Sequence, residues 1–157
     1  LLAAWPDQAL YLREILKEMV MAQTTVGPVH AIRPDGKEIK LPYEGHPITI
    51  TPTAGRVTVT VGGKTIADTT EALTLKEAEY PAVQYIPRKD VDMSLLESTD
   101  NYSYCVFKGD CSYYSIPAGG EKSVNAVWSY EAAHGAVTEI NGHVAFYPSR
   151  VDAITIG

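Results

Sequence analysis

The sequence predicts a mostly β domain running from about His46 to the C-terminus, with a helix and a small hairpin in front of it. Three observations carry this. From residue 56 onward the apolar period becomes two, as in a half-buried strand. Gly, Pro, Asp or Asn recur about every ten residues between short β-prone runs. No run of helical period is placed to serve as a crossover, so an antiparallel sheet folded on itself, or an open barrel, is expected rather than a parallel α/β sheet.

The elements follow in chain order. Pro6 and Asp7 give a helix start, and Leu10, Ile15, Leu16, Met19 and Val20 recur near helical spacing, which predicts a helix over 8–22 ending by Thr24. Gly27 and Pro28 break the chain. Residues 29–33 and 38–41 flank Pro34-Asp35-Gly36, a turn sequence, and predict the small hairpin. Residues 42–47, with two Pro, a Gly and no periodicity, form the boundary, so the chain divides into an extension over 1–45 and a domain over 46–157. Arg56-Val57-Thr58-Val59-Thr60-Val61 alternates and passes through Gly62-Gly63 into Lys64-Thr65-Ile66-Ala67-Asp68, the strongest hairpin signal present. Further strands are expected at 72–76, 83–86, 102–107, 111–116, 125–130 and 143–147, with short helical turns at 93–96 and 131–140.

Composition narrows the function classes. The chain has 157 residues, 45% hydrophobic and 20% charged, enough for one ordinary domain and an appendage without disulfide or metal staples. The apolar-leaning stretch at 9–22 is interrupted by Arg13, Glu14, Lys17 and Glu18, which suits a surface helix rather than a membrane span. No charged segment precedes a short apolar core, so no secretory signal is read. A net charge of -6 argues against nucleic acid as a partner, because phosphate binding needs a basic surface that releases counterions. Two cysteines, Cys105 and Cys111, are too few for a secreted disulfide framework or a four-ligand zinc site. A cytoplasmic, membrane-free location is expected. Ten Tyr against two Phe is an unusual ratio and suits half-buried strands and ligand walls alike.

Four short motifs recur in a recognisable order: Glu79-Tyr80-Pro81-Ala82-Val83-Gln84-Tyr85-Ile86-Pro87-Arg88-Lys89-Asp90-Val91, Cys105-Val106-Phe107-Lys108-Gly109, Val127-Trp128-Ser129-Tyr130 and Ala145-Phe146-Tyr147-Pro148. Over about 50–155 this pattern resembles the bacterial family known as domain of unknown function 427. The resemblance implies a β-tent-like fold, in which two antiparallel sheets lean together. That fold is shared with zinc-binding folding factors, methionine sulfoxide reductases and the ligand-binding domain of cereblon, and function does not follow from it. The family usually has Pro where this chain has Val106, and a small residue where Cys111 sits. Residues before 46 lie outside the resemblance.

Several constellations could carry chemistry. Cys105 suits a nucleophile or redox thiol, with Lys108 favouring its thiolate; a small buried hydrophobe is the bland alternative. If the turn centres on Lys108, Cys105 and Cys111 become cross-strand neighbours within disulfide reach. The chain has no Cys-x-x-Cys pair of the kind with which zinc-binding β-tent proteins clamp their sheets, so a metal-free, cofactor-free domain is expected. Asp90 and Asp92, at i and i+2 on a strand, would share a face, as magnesium-dependent nucleotidyltransferases require, and some file the family under such a label. The Gly-Ser or Gly-Gly that normally precedes such a pair is absent, and Arg88-Lys89 suits a solvated turn. Lys108-Gly109-Asp110 reads as an anion-binding turn or as an ordinary hairpin turn.

The aromatic set Tyr85, Tyr102, Tyr104, Tyr113, Tyr114, Trp128 and Tyr130 places rings on at least one sheet face beyond what a minimal core needs. With Arg88 and Lys108 nearby, apolar walls and a few polar anchors describe a small-ligand pocket. The expected function is small-molecule binding without metal, lined by Tyr85, Arg88, Cys105, Lys108, Tyr113, Trp128 and Tyr130. The alternatives are an enzyme, thiol-based through Cys105 or magnesium-dependent through Asp90 and Asp92, and an interaction module that docks or self-associates through the helix at 8–22.

Overall fold

In the computed structural model, which describes Arg13, Leu16 and residues 30–157, every paired strand is antiparallel. Arg13 and Leu16 are helical and exposed; the rest of the helix expected over 8–22, and residue 29 of the hairpin, lie outside the described residues. The strands are β1 (His30–Ile32), β2 (Glu38–Lys40), β3 (Ile48–Pro52), β4 (Val57–Val61), β5 (Lys64–Thr69), β6 (Leu73–Glu77), β7 (Val83–Pro87), β8 (Glu97–Cys105), β9 (Gly109–Ser115), β10 (Val127–Ser129), β11 (His143–Phe146) and β12 (Ala153–Ile156). Among the described residues no helix is long and apolar enough to cross a membrane.

The two expected antiparallel sheets are present, with the expected small hairpin beside them. β1–β2 is a hairpin, β3-β6-β7-β11-β10-β9-β8 is a seven-stranded sheet, and β12-β4-β5 is a three-stranded one, with no closed barrel among the described residues. β4 shows the expected alternation: Val57, Val59 and Val61 are fully buried while Thr58 and Thr60 are half-buried on the other face. Each such valine contributes about 1.5 to 3 kcal/mol by leaving water. Gly62 and Gly63, at φ 58° and 76°, make the two-residue turn that pairs Val61 with Lys64, a conformation that favours glycine at both positions.

The seven-stranded sheet is apolar on both faces. Ile86, Val127, Val144 and Phe146 meet Val57, Val59, Val61 and Ile66 of the three-stranded sheet in one core. Leu75, Tyr85, Cys111, Tyr113, Tyr130 and Ala145 form a second core on the opposite face, covered by Val137 and Ile140 from the 3-10 segment Gly135–Ile140.

β11 decides the shape of this sheet. It pairs His143 and Val144 with Pro87 and Ile86 of β7, then Ala145 and Phe146 with Trp128 and Val127 of β10. Past the Val144–Ile86 pair, β7 stays with β6 while β11 continues beside β10, where Tyr147 N–H donates to the Ala126 carbonyl at 2.9 Å. The ladder therefore opens into two leaves joined by two residue pairs.

The β1–β2 hairpin is fastened to β8 and β9. Lys40 N–H donates to the Val106 carbonyl at 2.9 Å, and the Tyr104 hydroxyl donates to the Glu38 carbonyl at 2.6 Å. Arg33 pairs with Asp110 at 2.6 Å, and Lys37 lies 4.6 Å from the centre of the Tyr102 ring.

Candidate functional site

A cleft opens where β7 and β11 part, and it has two lobes. The smaller, about 180 Å³, reaches the second core and is lined by Leu75, Glu77, Tyr85, Lys108, Tyr113 and Tyr130. The larger, about 580 Å³, lies between the sheets and is lined by Val59, Ile86, Phe146, Pro148, Ile154 and Ile156. Tyr80, Pro81, Val83, Trp128 and Tyr147 line both lobes and form the ridge between them.

Strand alternation puts the rings here. Register pairs Trp128 with Tyr113 on one side and with Ala145 on the other, so their side chains share a face with Tyr85. The small Ala145 leaves room across which the Trp128 Nε1–H donates to the Tyr85 hydroxyl at 3.2 Å. Trp128 also stands edge-on to Tyr85 and lies 4.5 Å from Tyr147 between ring centres, favourable aromatic arrangements that fix the ridge. Burial pushes the Tyr85 and Tyr130 phenols far above their usual range and Tyr113 up to about 12, so all three stay neutral hydroxyls at physiological pH.

The polar end of the smaller lobe is an ionic cluster. Lys108, in the turn between β8 and β9, is 9% exposed; its ammonium pairs with Glu77 and lies 5.8 Å from the centre of the Tyr130 ring. Glu77 Oε1 is 2.8 Å from His46 Nε2, and the His46 ring stacks flat on Phe107 at 4.2 Å. Burial raises the Glu77 pKa, but the hydrogen bonds from His46 and Lys108 outweigh it and hold the carboxyl below its usual value. The carboxylate is thereby kept ionised in a site that would otherwise protonate it.

Of the seven residues expected to line a pocket, the cleft brings together Tyr85, Lys108, Tyr113, Trp128 and Tyr130. Arg88 lies elsewhere: its guanidinium meets Glu131 at 2.6 Å and Ser129 Oγ at 3.2 Å and covers the Tyr114 ring. Cys105 is half-buried against the second core and lines neither lobe. Tyr102 and Tyr104 bear the hairpin cations rather than a ligand wall.

The catalytic alternatives meet different geometry from that expected. The β8–β9 turn centres on Phe107, pairing Cys105 with Gly109 and Cys111 with Ser103, so the two cysteines are diagonal neighbours and both are free thiols. Diagonal residues sit on the order of 7 Å apart, at the limit of what a disulfide bridges. Lys108 directs its charge to Glu77, and burial pushes the Cys111 thiol up, away from thiolate formation. Asp90 ends one 3-10 turn and Asp92 caps the next, instead of both standing on a strand. Asp90 accepts from the Thr69 hydroxyl at 2.7 Å and pairs with Lys89, and Asp92 caps the backbone N–H of Ser94. Among the described residues no three His, Cys, Asp or Glu side chains converge as a metal site would require.

Among the polar and aromatic residues that line the cleft, Glu77, Tyr80 and Tyr147 escaped the sequence reading, as did His46, which contacts Glu77 without lining either lobe. A signal existed for Glu77, because Leu73, Leu75 and Glu77 share one face of β6 and the third is a carboxylate. Tyr80 and Tyr147 stand inside two of the recurring motifs. His46 offered none, being brought to Glu77 by the pairing of β3 with β6.

Residues 49–157 match the family model described as Domain of unknown function (DUF427). Among curated proteins none matches the chain.

Proposed function

We propose that this chain, which belongs to the family described as Domain of unknown function (DUF427), binds a small organic molecule in the cleft between β7 and β11. The observation that carries this reading is the opening of an otherwise continuous sheet onto a ridge of Trp128, Tyr80 and Tyr147. An apolar lobe lies on one side of that ridge, and a buried Lys108–Glu77 pair ends the lobe on the other. Unpaired strand edges and exposed rings cost free energy, which a ligand covering them would offset. Apolar walls with a few fixed polar groups are how small-molecule sites are built.

A thermal-shift screen of the protein against nucleosides, nucleotides, amino-acid amides and common cofactors tests this. One chemical class is expected to raise the melting temperature saturably, by mass action on the folded state. Trp128→Ala is expected to abolish the rise, whereas Arg88→Ala, outside the cleft, keeps it. If the rise survives Trp128→Ala in a folded protein, the ligand sits elsewhere.

A further inference from the structure

Resting on that reading, we propose that the cleft selects electrically neutral ligands whose polar end carries a hydrogen-bond donor and an acceptor side by side, as a carboxamide does. It discriminates against carboxylates and amines of the same shape.

Two opposite charges face the smaller lobe. Glu77 and Lys108 both line it, and their side chains are 13% and 11% exposed. They are already paired with each other, so the pair presents a carboxylate and an ammonium together with no net charge of its own. Neither partner is saturated. An ammonium has three N–H donors, and among the described residues Glu77 is the one hydrogen-bond acceptor that Lys108 reaches. Each Glu77 oxygen has one partner, His46 on Oε1 and Lys108 on Oε2, and retains a lone pair.

A ligand arriving here meets a free donor beside a free acceptor. An anion that takes the Lys108 donor is set against the Glu77 carboxylate, and a cation that takes the Glu77 lone pair is set against the Lys108 ammonium. Either is held beside a like charge in a poorly solvated site, which offsets what it gains from its one partner. A carboxamide serves both groups at once, its carbonyl accepting from Lys108 and its N–H donating to Glu77, and the pair stays intact. The neutral hydroxyls of Tyr85, Tyr113 and Tyr130 around it add no charge that would reverse the preference. The ring or alkyl part of the ligand then lies on Trp128 and Tyr147, toward the apolar lobe.

Three probes that share a phenyl ring test this: benzamide, benzoate and benzylamine, neutral, negative and positive at neutral pH. Binding is followed by NMR titration on the indole N–H of Trp128, which lies on the ridge and distinguishes the site from the rest of the surface. Benzamide is expected to bind at least about tenfold more tightly than either charged probe, a difference of about 1.4 kcal/mol. Benzoate or benzylamine binding as tightly as benzamide overturns the charge argument and leaves a cleft that binds small molecules. No perturbation by any probe at millimolar concentration overturns both. Glu77→Gln leaves Lys108 uncompensated, so the preference is expected to move toward benzoate. An unchanged preference in the folded variant refutes the role given to the pair, and should the variant not fold, the probe series on the unaltered protein decides alone.

Discussion

Removing one member of the Lys108–Glu77 pair should be costly, and removing both should not. In Lys108→Met the Glu77 carboxylate, 13% exposed, loses its counter-ion and keeps the 2.8 Å contact with His46. Breaking a buried pair by deleting one partner costs about 3 to 5 kcal/mol, and the remaining hydrogen bond places this variant at the low end, about 3 kcal/mol. For a chain of this size that is a fall in melting temperature of about 6 to 12 °C. Glu77→Leu strands the ammonium and should cost a similar amount. The double variant buries no charge from either residue and should lie within about 1 kcal/mol of the unaltered protein, since a hydrophobic pair of similar volume commonly replaces a buried ion pair without loss. Urea unfolding of the four proteins, followed by circular dichroism at constant slope, measures the coupling. The pH dependence has a definite sign. The folded pKa of Glu77 lies below the usual 4.5, so its contribution is present above that value and is lost as pH falls through the folded one. The gap between the unaltered protein and Lys108→Met should therefore shrink as pH drops below 4.5. Additive single costs in the double variant, or single variants within about 0.5 kcal/mol of the parent, would refute a buried, coupled pair.

Three other expectations follow from the same structure. Cys111, buried and with its thiol pKa raised by that burial, should resist alkylation until the protein is unfolded; modification at the rate of a free thiol in the native protein would contradict the packing of β9. Gly62→Ala should destabilise more than Gly63→Ala, because the added Cβ meets the Ala118 carbonyl oxygen at 2.6 Å while the space at Gly63 is open; equal losses by thermal unfolding would mean that positive φ alone decides both. Asp110→Asn should loosen the N-terminal hairpin, since hydrogen bonds from Tyr102 and Arg33 hold that carboxyl well below its usual range. At 45% exposure the global cost should be only about 0.5 to 1 kcal/mol and fall with salt, so the sensitive readout is faster tryptic cleavage after Lys37 and Lys40; an unchanged cleavage rate would mean that Asp110 does not hold the hairpin.

The sequence by itself determined the elements whose causes are local. The Val-Thr alternation of β4 and the two glycines after it require no distant residue to be read, because a strand's alternation and a two-residue turn are written in consecutive side chains. The Pro34-Asp35-Gly36 turn is of the same kind: Asp35 accepts from the Lys37 N–H, and Gly36 takes the positive φ. The gathering of Tyr85, Tyr113, Trp128 and Tyr130 was legible for a related reason, since alternation distributes an excess of rings to a known face of each strand.

Only the tertiary structure decided what depends on partners far along the chain. β3 alternates locally as β4 does, Ile48-Thr49-Ile50-Thr51, but the ladders that it and β12 complete, β3 against β6 and β12 against β4, depend on partners elsewhere in the chain. The β8–β9 register lies two residues from the one that a turn centred on Lys108 would give, and a slip of two keeps Cys111 and Tyr113 on the same face, so alternation does not choose between the two registers. A hairpin sequence does not reveal the register when Phe107 and Lys108 offer adjacent turn centres. Arg88 left the expected pocket because its strand end lies beside Ser129 and Glu131, across the sheet from the rings. The cleft itself has no counterpart in the sequence. It follows from β11 having two partners in turn, and the charge that ends it comes from Glu77 and Lys108, 31 positions apart, which meet through the pairing of strands far apart in the chain.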